Sequence, residues 1–422
     1  MLMPIQFKTI LLGWIMSAII SLDLFGQLDH SIASNNFEFN YPGDSPATGL
    51  KFINTSFENA SQLDWEVDSN GIINISLIYD HERASPNRAT NHWHFQVQAD
   101  PGSDLVLILK NFDNIWNGQK AYPVSVKTSC LVSEDGISWT AVPAELISGN
   151  RLRVQVHMKH DKLYAASVEP YRLSDLEKLK TEIRKNPLVE INTIGRTVEG
   201  RPLEIIRVGN PDAPHRILLR ARAHPWEPGG NWVVQGLIRA LLQKDGSAYL
   251  KKYCVYIMPM ANKDGVAHGR SRFNSLGKDL NRNWDNTADS IYVPENYALE
   301  SWLVKMIRKG QKPDLAIDLH NDSEGNLHFG LPNVNLTRYM ENMKRLETLL
   351  YKYTWFTEGS KGGDFRNPGT IGEGLSERYG VDACIYELNY EWIAGLKKVP
   401  FGKDWELLGK ELRDVFLEYF NR

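Results

Sequence analysis

The sequence predicts an α/β domain with a central mixed, largely parallel sheet flanked by helices, preceded by an all-β sandwich domain. Three observations carry that prediction. The chain has 422 residues, enough for two domains and a large core. Up to about Val168, short β-type runs alternate with turn signals and long helical periodicity is missing. Beyond Pro170, β-type runs and helical patterns take turns, the rhythm of strands joined by crossover helices. A formal net charge of −3, with Lys and Arg scattered, argues against nucleic acid as a partner.

An export signal is predicted ahead of the sandwich. Lys8 leads an apolar run from Thr9 to Leu22 that is short for a membrane span, and small Gly26 offers a cleavage position. Residues 1–26 are therefore expected to be a signal peptide, leaving an exported protein, periplasmic or secreted, without stable membrane association. The competing reading is an uncleaved anchor. No cysteine directly follows the run, so a lipoprotein anchor has no support. The sandwich domain, residues 28–168, contains the runs Gly71 to Tyr79, His92 to Gln98, Asp104 to Leu109 and Arg151 to Val156. Alternation in the second and fourth predicts half-buried strands. Ser133 to Trp139 is read as a Gly-containing turn feeding a strand whose Trp packs into the sandwich. The three cysteines, Cys130, Cys254 and Cys384, are too few and odd in number for a disulfide framework, and the last two sit in apolar core-like runs.

The second domain, residues 170–422, opens with Ser174 as an N-cap and an amphipathic helix from Asp175 to Arg184. Strands are predicted over Leu203 to Val208, Arg216 to Ala223, Tyr253 to Met258, Asp314 to Leu319 and Ala383 to Leu388. Helices are predicted over Asn231 to Leu242, Glu295 to Lys309, Asn335 to Tyr353 and Asp404 to Tyr419. In such sheets ligands bind beyond the carboxyl ends of the strands.

That rule sorts the polar residues. His224 and Glu227, three residues apart, follow one strand. An imidazole and a carboxylate at that spacing supply two of the three protein ligands of a catalytic zinc, whose fourth position is left to water. His320 follows another strand, and Glu387 lies inside the last. A carboxylate in an apolar strand is costly to bury unless a metal or a substrate cation faces it. Singly, each has a plainer reading: a surface or capping histidine, a helix N-terminal glutamate, a half-exposed strand residue. Between them runs a polar cluster through Asn262 to Val266, Gly269 to Phe273 and Lys278 to Trp284. Asn281 with Arg282 suits a clamp for a substrate carboxylate, and Arg272 could face a developing oxyanion. Alternatively these arginines pair with Asp279 and Asp285 on a loop. Their occurrence together with His224, Glu227 and His320 weighs against that.

The order His224-x-x-Glu227, Arg272, Asn281-Arg282, His320, Glu387 resembles the M14 (carboxypeptidase A-like) metallocarboxypeptidases over roughly Gly195 to Arg422. Gly195 to Arg201 is similar to the lead-in to the family's first strand, and Asp279 to Trp284 to one of its most specific local signatures. The β-rich segment with Trp93-His-Phe95 and Asn111-Phe112, ending in Glu169-Pro-Tyr171, is similar to the N-terminal sandwich of the cytosolic carboxypeptidase-like branch and its bacterial relatives. The resemblance implies that His224, Glu227 and His320 hold Zn²⁺, that Glu387 is general base and then acid, and that Arg272 and the metal stabilise the oxyanion. It also implies that Asn281 and Arg282 hold the terminal carboxylate of a peptide or protein substrate. Asp279 and Asp318 are the expected partners of the ligand histidines.

Two departures stand out. The stretch Gly362 to Thr370 offers Phe365 where those enzymes carry a mobile-loop tyrosine, and its specificity candidates Arg366, Thr370 and Glu373 point to different preferences. Pro225-Trp226 replaces the glycine that the branch more often has beside the glutamate, and Trp226 either lines a substrate subsite or packs on the sandwich. The expected function is zinc-dependent removal of C-terminal residues. Alternatives are a zinc amidase of the same fold acting on cell-wall peptides or acyl-amino acids, and an inactive binding protein. A serine hydrolase has no support, since no Gly-x-Ser-x-Gly elbow occurs.

Overall fold

The structure, a computed structural model, describes residues 49–333, 335–364 and 369–421. The predicted signal peptide lies outside the described residues, as do Phe365 and Arg366. Thirteen strands come first: β1 (Leu50–Asn54), β2 (Leu63–Val67), β3 (Ile73–Leu77), β4 (Asp80–His81), β5 (Arg88–Ala89), β6 (His94–Ala99), β7 (Asp104–Lys110), β8 (Asn114–Trp116), β9 (Gln119–Ala121), β10 (Ser129–Ser133), β11 (Thr140–Ile147), β12 (Arg151–His157) and β13 (Lys162–Ala166). Nine of them form one sheet in the order β1-β6-β13-β10-β11-β12-β7-β3-β2. β11 joins its two halves, pairing with β10 up to Pro143 and with β12 from Ala144 onward. The inward residues of both halves, among them Ile75, Phe95, Val97, Leu107 and Val154, share one buried core. A sandwich made by folding one sheet over matches the alternation read from Arg151 to Val156: in β12 Leu152, Val154 and Val156 are buried. The remaining strands form a small sheet, β4-β5-β8-β9.

The rest of the chain comprises α1 (Leu173–Ile183), β14 (Val189–Arg196), β15 (Pro202–Val208), β16 (His215–Ala221), α2 (Gly229–Leu241), α3 (Gly246–Leu250), β17 (Tyr253–Met258), α4 (Lys263–Ala267), α5 (Pro294–Arg308), β18 (Leu315–Asp322), β19 (Leu327–Leu331), α6 (Leu336–Tyr353), β20 (Ser360–Asp364), α7 (Ile371–Tyr379), β21 (Asp382–Asn389) and α8 (Gly402–Phe420). Its eight-stranded sheet runs β14-β15-β17-β16-β18-β21-β19-β20. The four central strands, β17, β16, β18 and β21, are mutually parallel, and the antiparallel pairings lie to either side of them. One face packs Ile217, Leu219 and Ile257 against α2, α6 and α8, and the other packs Leu218, Tyr256 and Ala316 against α5 and α7. Strands covered on both faces read as continuous apolar runs, which is why these were legible. All three cysteines are buried and unpaired. No helix among the described residues is long and apolar enough to cross a membrane.

The first helix starts earlier than expected. Arg172 is its N-cap, with the Asp175 carboxylate accepting from the Arg172 N–H at 2.9 Å, while Ser174 sits inside the first turn and donates its N–H to Glu58. The acidic residue at the third helical position outcompetes the serine for the end of the helix. α2 and α8 cross at glycines. A Cβ on Gly236 would lie 2.1 Å from the Glu406 carbonyl oxygen, and one on Gly409 would lie 1.9 Å from that of Val233, so only glycine permits this approach. Ser45–Arg422 form one compact unit. Both β-rich sheets and the α/β part belong to it.

Candidate active site and metal centre

Register assembles the site. β16 and β18 pair in parallel with Arg220 opposite Asp318, and β18 pairs with β21 so that His320 lies opposite Glu387. The turn after β16 carries His224 and Glu227 to the same carboxyl end. Arg222 opens that turn in the left-handed region (φ 61°), a conformation costing a non-glycine residue roughly 1–3 kcal/mol unless its surroundings enforce it. They do: its buried guanidinium donates to the Pro225 carbonyl at 2.7 Å and to Asn231 Oδ1 at 3.1 Å. Burial draws that guanidinium down to about 9.

His224, Glu227 and His320 converge. His224 Nδ1 lies 2.8 Å from Glu227 Oε1, His320 Nδ1 lies 2.7 Å from Glu227 Oε2, and the two Nδ1 atoms are 3.2 Å apart. All three side chains are buried. The outer nitrogens face carboxylates, His224 Nε2 at 3.1 Å from Asp279 and His320 Nε2 at 2.7 Å from Asp318. In the neutral tautomers whose Nε2–H groups donate to Asp279 and Asp318, each Nδ1 is a lone pair. Two lone pairs and a carboxylate then point at one another in a buried space, an acceptor-only cluster that a cation must complete. The donor set therefore fits zinc. Protons and a metal cation compete for this cluster. Burial opposes ionisation of Glu227, yet His224 and His320 outweigh it and hold the carboxyl at about 2. Burial likewise opposes a charged His320, but Asp318 and Glu227 push it well above the imidazole range.

Both carboxylates behind the histidines are themselves anchored. Asp279 accepts from Arg272 Nε at 2.9 Å and from the Asn281 N–H at 2.8 Å. Against the cost of burial, Arg272 and His224 hold its carboxyl well below the usual range. Asp318 accepts from Arg220 at 3.1 Å, and Arg220 also donates to the Leu280 carbonyl and to Asn296.

Each residue expected at the site lines one cleft of about 290 Å³, except His320, which lies fully buried beneath it. Glu387 enters from β21, with Oε2 buried and without a hydrogen-bond partner. Burial pushes its carboxyl well above the usual range; His320 pulls the other way, and Glu227 and Asp322 add to the rise. Arg272 does pair with Asp279, as the loop alternative foresaw, and also faces the cleft. Arg282 is partly exposed and donates to the Asn281 carbonyl at 2.7 Å. Asn281 is buried, and its amide oxygen accepts from the Ile371 N–H at 3.0 Å, so it forms the floor beside Arg282.

Sequence reasoning missed several lining residues. Trp116 from the small sheet sits against both arginines, 4.1 Å from Arg272 and 5.1 Å from Arg282, ring centroid to guanidinium carbon. Asn91 also reaches the cleft from that region. Asp322 and His328 stand beside Glu387, close enough for one ion to touch all three. No local pattern marks them. Thr370 and Glu373, weighed as specificity residues, are buried and form a capping box on α7: the Glu373 carboxylate accepts from the Thr370 N–H at 2.7 Å. The Thr-x-x-Glu signature was the available signal. Trp226 is buried against Tyr390 (5.0 Å, edge to face), whose hydroxyl donates to the Pro123 carbonyl in the β-rich region. The Ser133 turn forms with Gly136 at φ 71°, and Trp139 packs edge-on against His94.

Residues 176–354 match the sequence profile of the family described as zinc carboxypeptidase. The chain carries an M14 zinc carboxypeptidase domain. Among curated relatives, cytosolic carboxypeptidase 6 of Caenorhabditis elegans is 26% identical over 323 residues, covering 71% of this chain and 69% of the worm protein. Human cytosolic carboxypeptidase 2 is 26% identical over 189 residues, 42% of this chain and 21% of the human protein. This chain thus spans most of the first relative and about a fifth of the second. Two solved structures share the fold across both β-rich and α/β parts. The metallo-carboxypeptidase of Burkholderia cenocepacia has a TM-score of 0.76 at 20% identity, covering 88% of this chain and 99% of its own. That of Pseudomonas aeruginosa, in complex with (2-guanidinoethylmercapto)succinic acid, has a TM-score of 0.73 at 23% identity over 87% and 98%. M14 carboxypeptidases are zinc hydrolases, and the buried cluster of His224, Glu227 and His320 offers donors that could hold a metal ion.

Proposed function

We propose that this M14 domain hydrolyses the C-terminal peptide bond of peptides and proteins, with His224, Glu227 and His320 as its zinc ligands. The observation that supports the reading most is the buried acceptor-only cluster at the end of a cleft that also contains Glu387, Arg272 and Arg282. Zinc in such a set supplies Lewis acidity, lowering the pKa of a water and polarising a carbonyl. Glu387, which lines the cleft with Oε2 free of hydrogen-bond partners, takes the proton of the attacking water and delivers it to the departing amine. Arg282 holds the terminal carboxylate through its guanidinium fork, with Asn281 below it. Arg272, fixed by Asp279, presents positive charge to the oxygen that gains it.

The test is residue release from free-acid peptides, with Glu387→Gln as control. That variant should retain one zinc per chain and lose on the order of 10²–10⁴-fold in kcat. Wild-type activity surviving zinc removal, or an active Glu387→Gln, would contradict the proposal. Export through residues 1–26 belongs to the same proposal. N-terminal sequencing of the mature protein checks it, and an intact Met1 would contradict it.

A further inference from the structure

We propose that Trp116, from the β-rich region, is a positioning residue for the arginine wall of the cleft, its indole face holding Arg272, which faces the oxyanion, beside Arg282, which faces the terminal carboxylate. The inference rests on the carboxypeptidase reading and adds a residue that the zinc domain's own segment does not contain.

Trp116 ends β8, where it pairs with Gln119, and Ile115 beside it pairs with Arg88 of β5. Its ring lies 4.1 Å from the guanidinium carbon of Arg272 and 5.1 Å from that of Arg282. Two like charges at one wall repel. The negative face of an indole attracts both and offsets that repulsion more strongly where water is excluded. Arg272 is thereby fixed from two sides, by Asp279 and by the ring. The small sheet that carries Trp116 also grips the loop that carries Arg272. The Asp80 carboxylate accepts the N–H groups of Arg272 and Phe273, each at 2.8 Å. Ser271 Oγ accepts from the N–H groups of Asn91 and His92, and the Arg83 N–H donates to the Gly277 carbonyl at 2.7 Å. The region that carries the ring is thus hydrogen-bonded to the loop that carries Arg272. The geometry makes the β-rich region part of the substrate site.

The experiment compares Trp116→Phe, which keeps an aromatic face, with Trp116→Leu, which keeps apolar bulk without one. Trp116→Met replaces the leucine variant should that one fail to fold. Kinetics are measured on a peptide and its C-terminal amide, with zinc content alongside. Trp116→Leu should raise KM for the free acid about 10-fold through Arg282, lower kcat on acid and amide alike by about 3–10-fold through Arg272, and leave zinc content unchanged. Trp116→Phe should stay within about 3-fold of wild type throughout. A leucine variant with the wild-type preference for free acid, or a phenylalanine variant as impaired as the leucine one, overturns the role of Trp116. A wild-type enzyme indifferent to amidation instead overturns the carboxypeptidase reading.

Discussion

Asp279 and Asp318 decide which nitrogen each histidine turns inward. Facing Nε2, they leave both Nδ1 atoms as lone pairs directed at Glu227. Replacing Asp279 by Asn removes the charge while keeping the shape, so the tautomer preference and the basicity of His224 both fall. Asp279→Asn should weaken zinc affinity about 10–100-fold, as read by competition with a chromophoric chelator. Unchanged affinity would show that His224 needs no such partner. Both carboxylates were legible in the sequence, Asp318 because it sits two residues before His320 at a strand end and Asp279 because it opens the Asp279–Trp284 run that carries the family resemblance. Trp116 was not, because its role arises from a three-residue strand paired to a loop more than 150 residues away, and nothing local to Asn114–Trp116 announces it.

At the scale of elements, α2 and α8 approach closely, backbone against backbone at Gly236 and Gly409. A methyl at 409 meets the Val233 carbonyl and the Leu237 N–H, groups that cannot rotate away. Gly409→Ala should destabilise the protein by about 3 kcal/mol in denaturant titration. A loss within experimental error would mean that the helices slide apart freely. α8 also carries Glu411, whose half-buried carboxyl has an oxygen without a partner and is raised by burial to about 7. Below its ordinary pKa of about 4.5 the group is neutral in both states and costs nothing. As pH climbs from 4.5 to 7 the unfolded chain ionises first, so stability falls across that window and levels off above it. Glu411→Gln should match wild type at pH 4 and exceed it at pH 8 by about 1 kcal/mol, a figure discounted for solvent screening of a half-exposed group. Equal stability at both pH values would place that carboxyl in water. Long elements such as α2, α5, α6 and α8 were legible through their periodicity. Short ones, β19, β20, α4 and α7, were not, since their five to nine residues carry neither a helical period nor a continuous apolar run.

At the scale of the whole molecule, the strand order does what no local pattern could. It brings His224, His320 and Glu387, from three different strand ends, to one edge of a parallel sheet, and sets the β-rich region against the arginine loop. The general rule about strand ends made the first half legible; the second needed coordinates. The account then makes a claim that neither zinc nor fold alone would support: the cleft holds a carboxylate as well as a metal. The most direct test is kcat/KM of the zinc-loaded wild-type protein on a peptide and on its C-terminal amide. A preference of roughly 100-fold or more for the free acid is expected, the worth of a desolvated charge-assisted contact of about 3 kcal/mol. Equal hydrolysis of the two would contradict the carboxylate clamp and with it the carboxypeptidase reading.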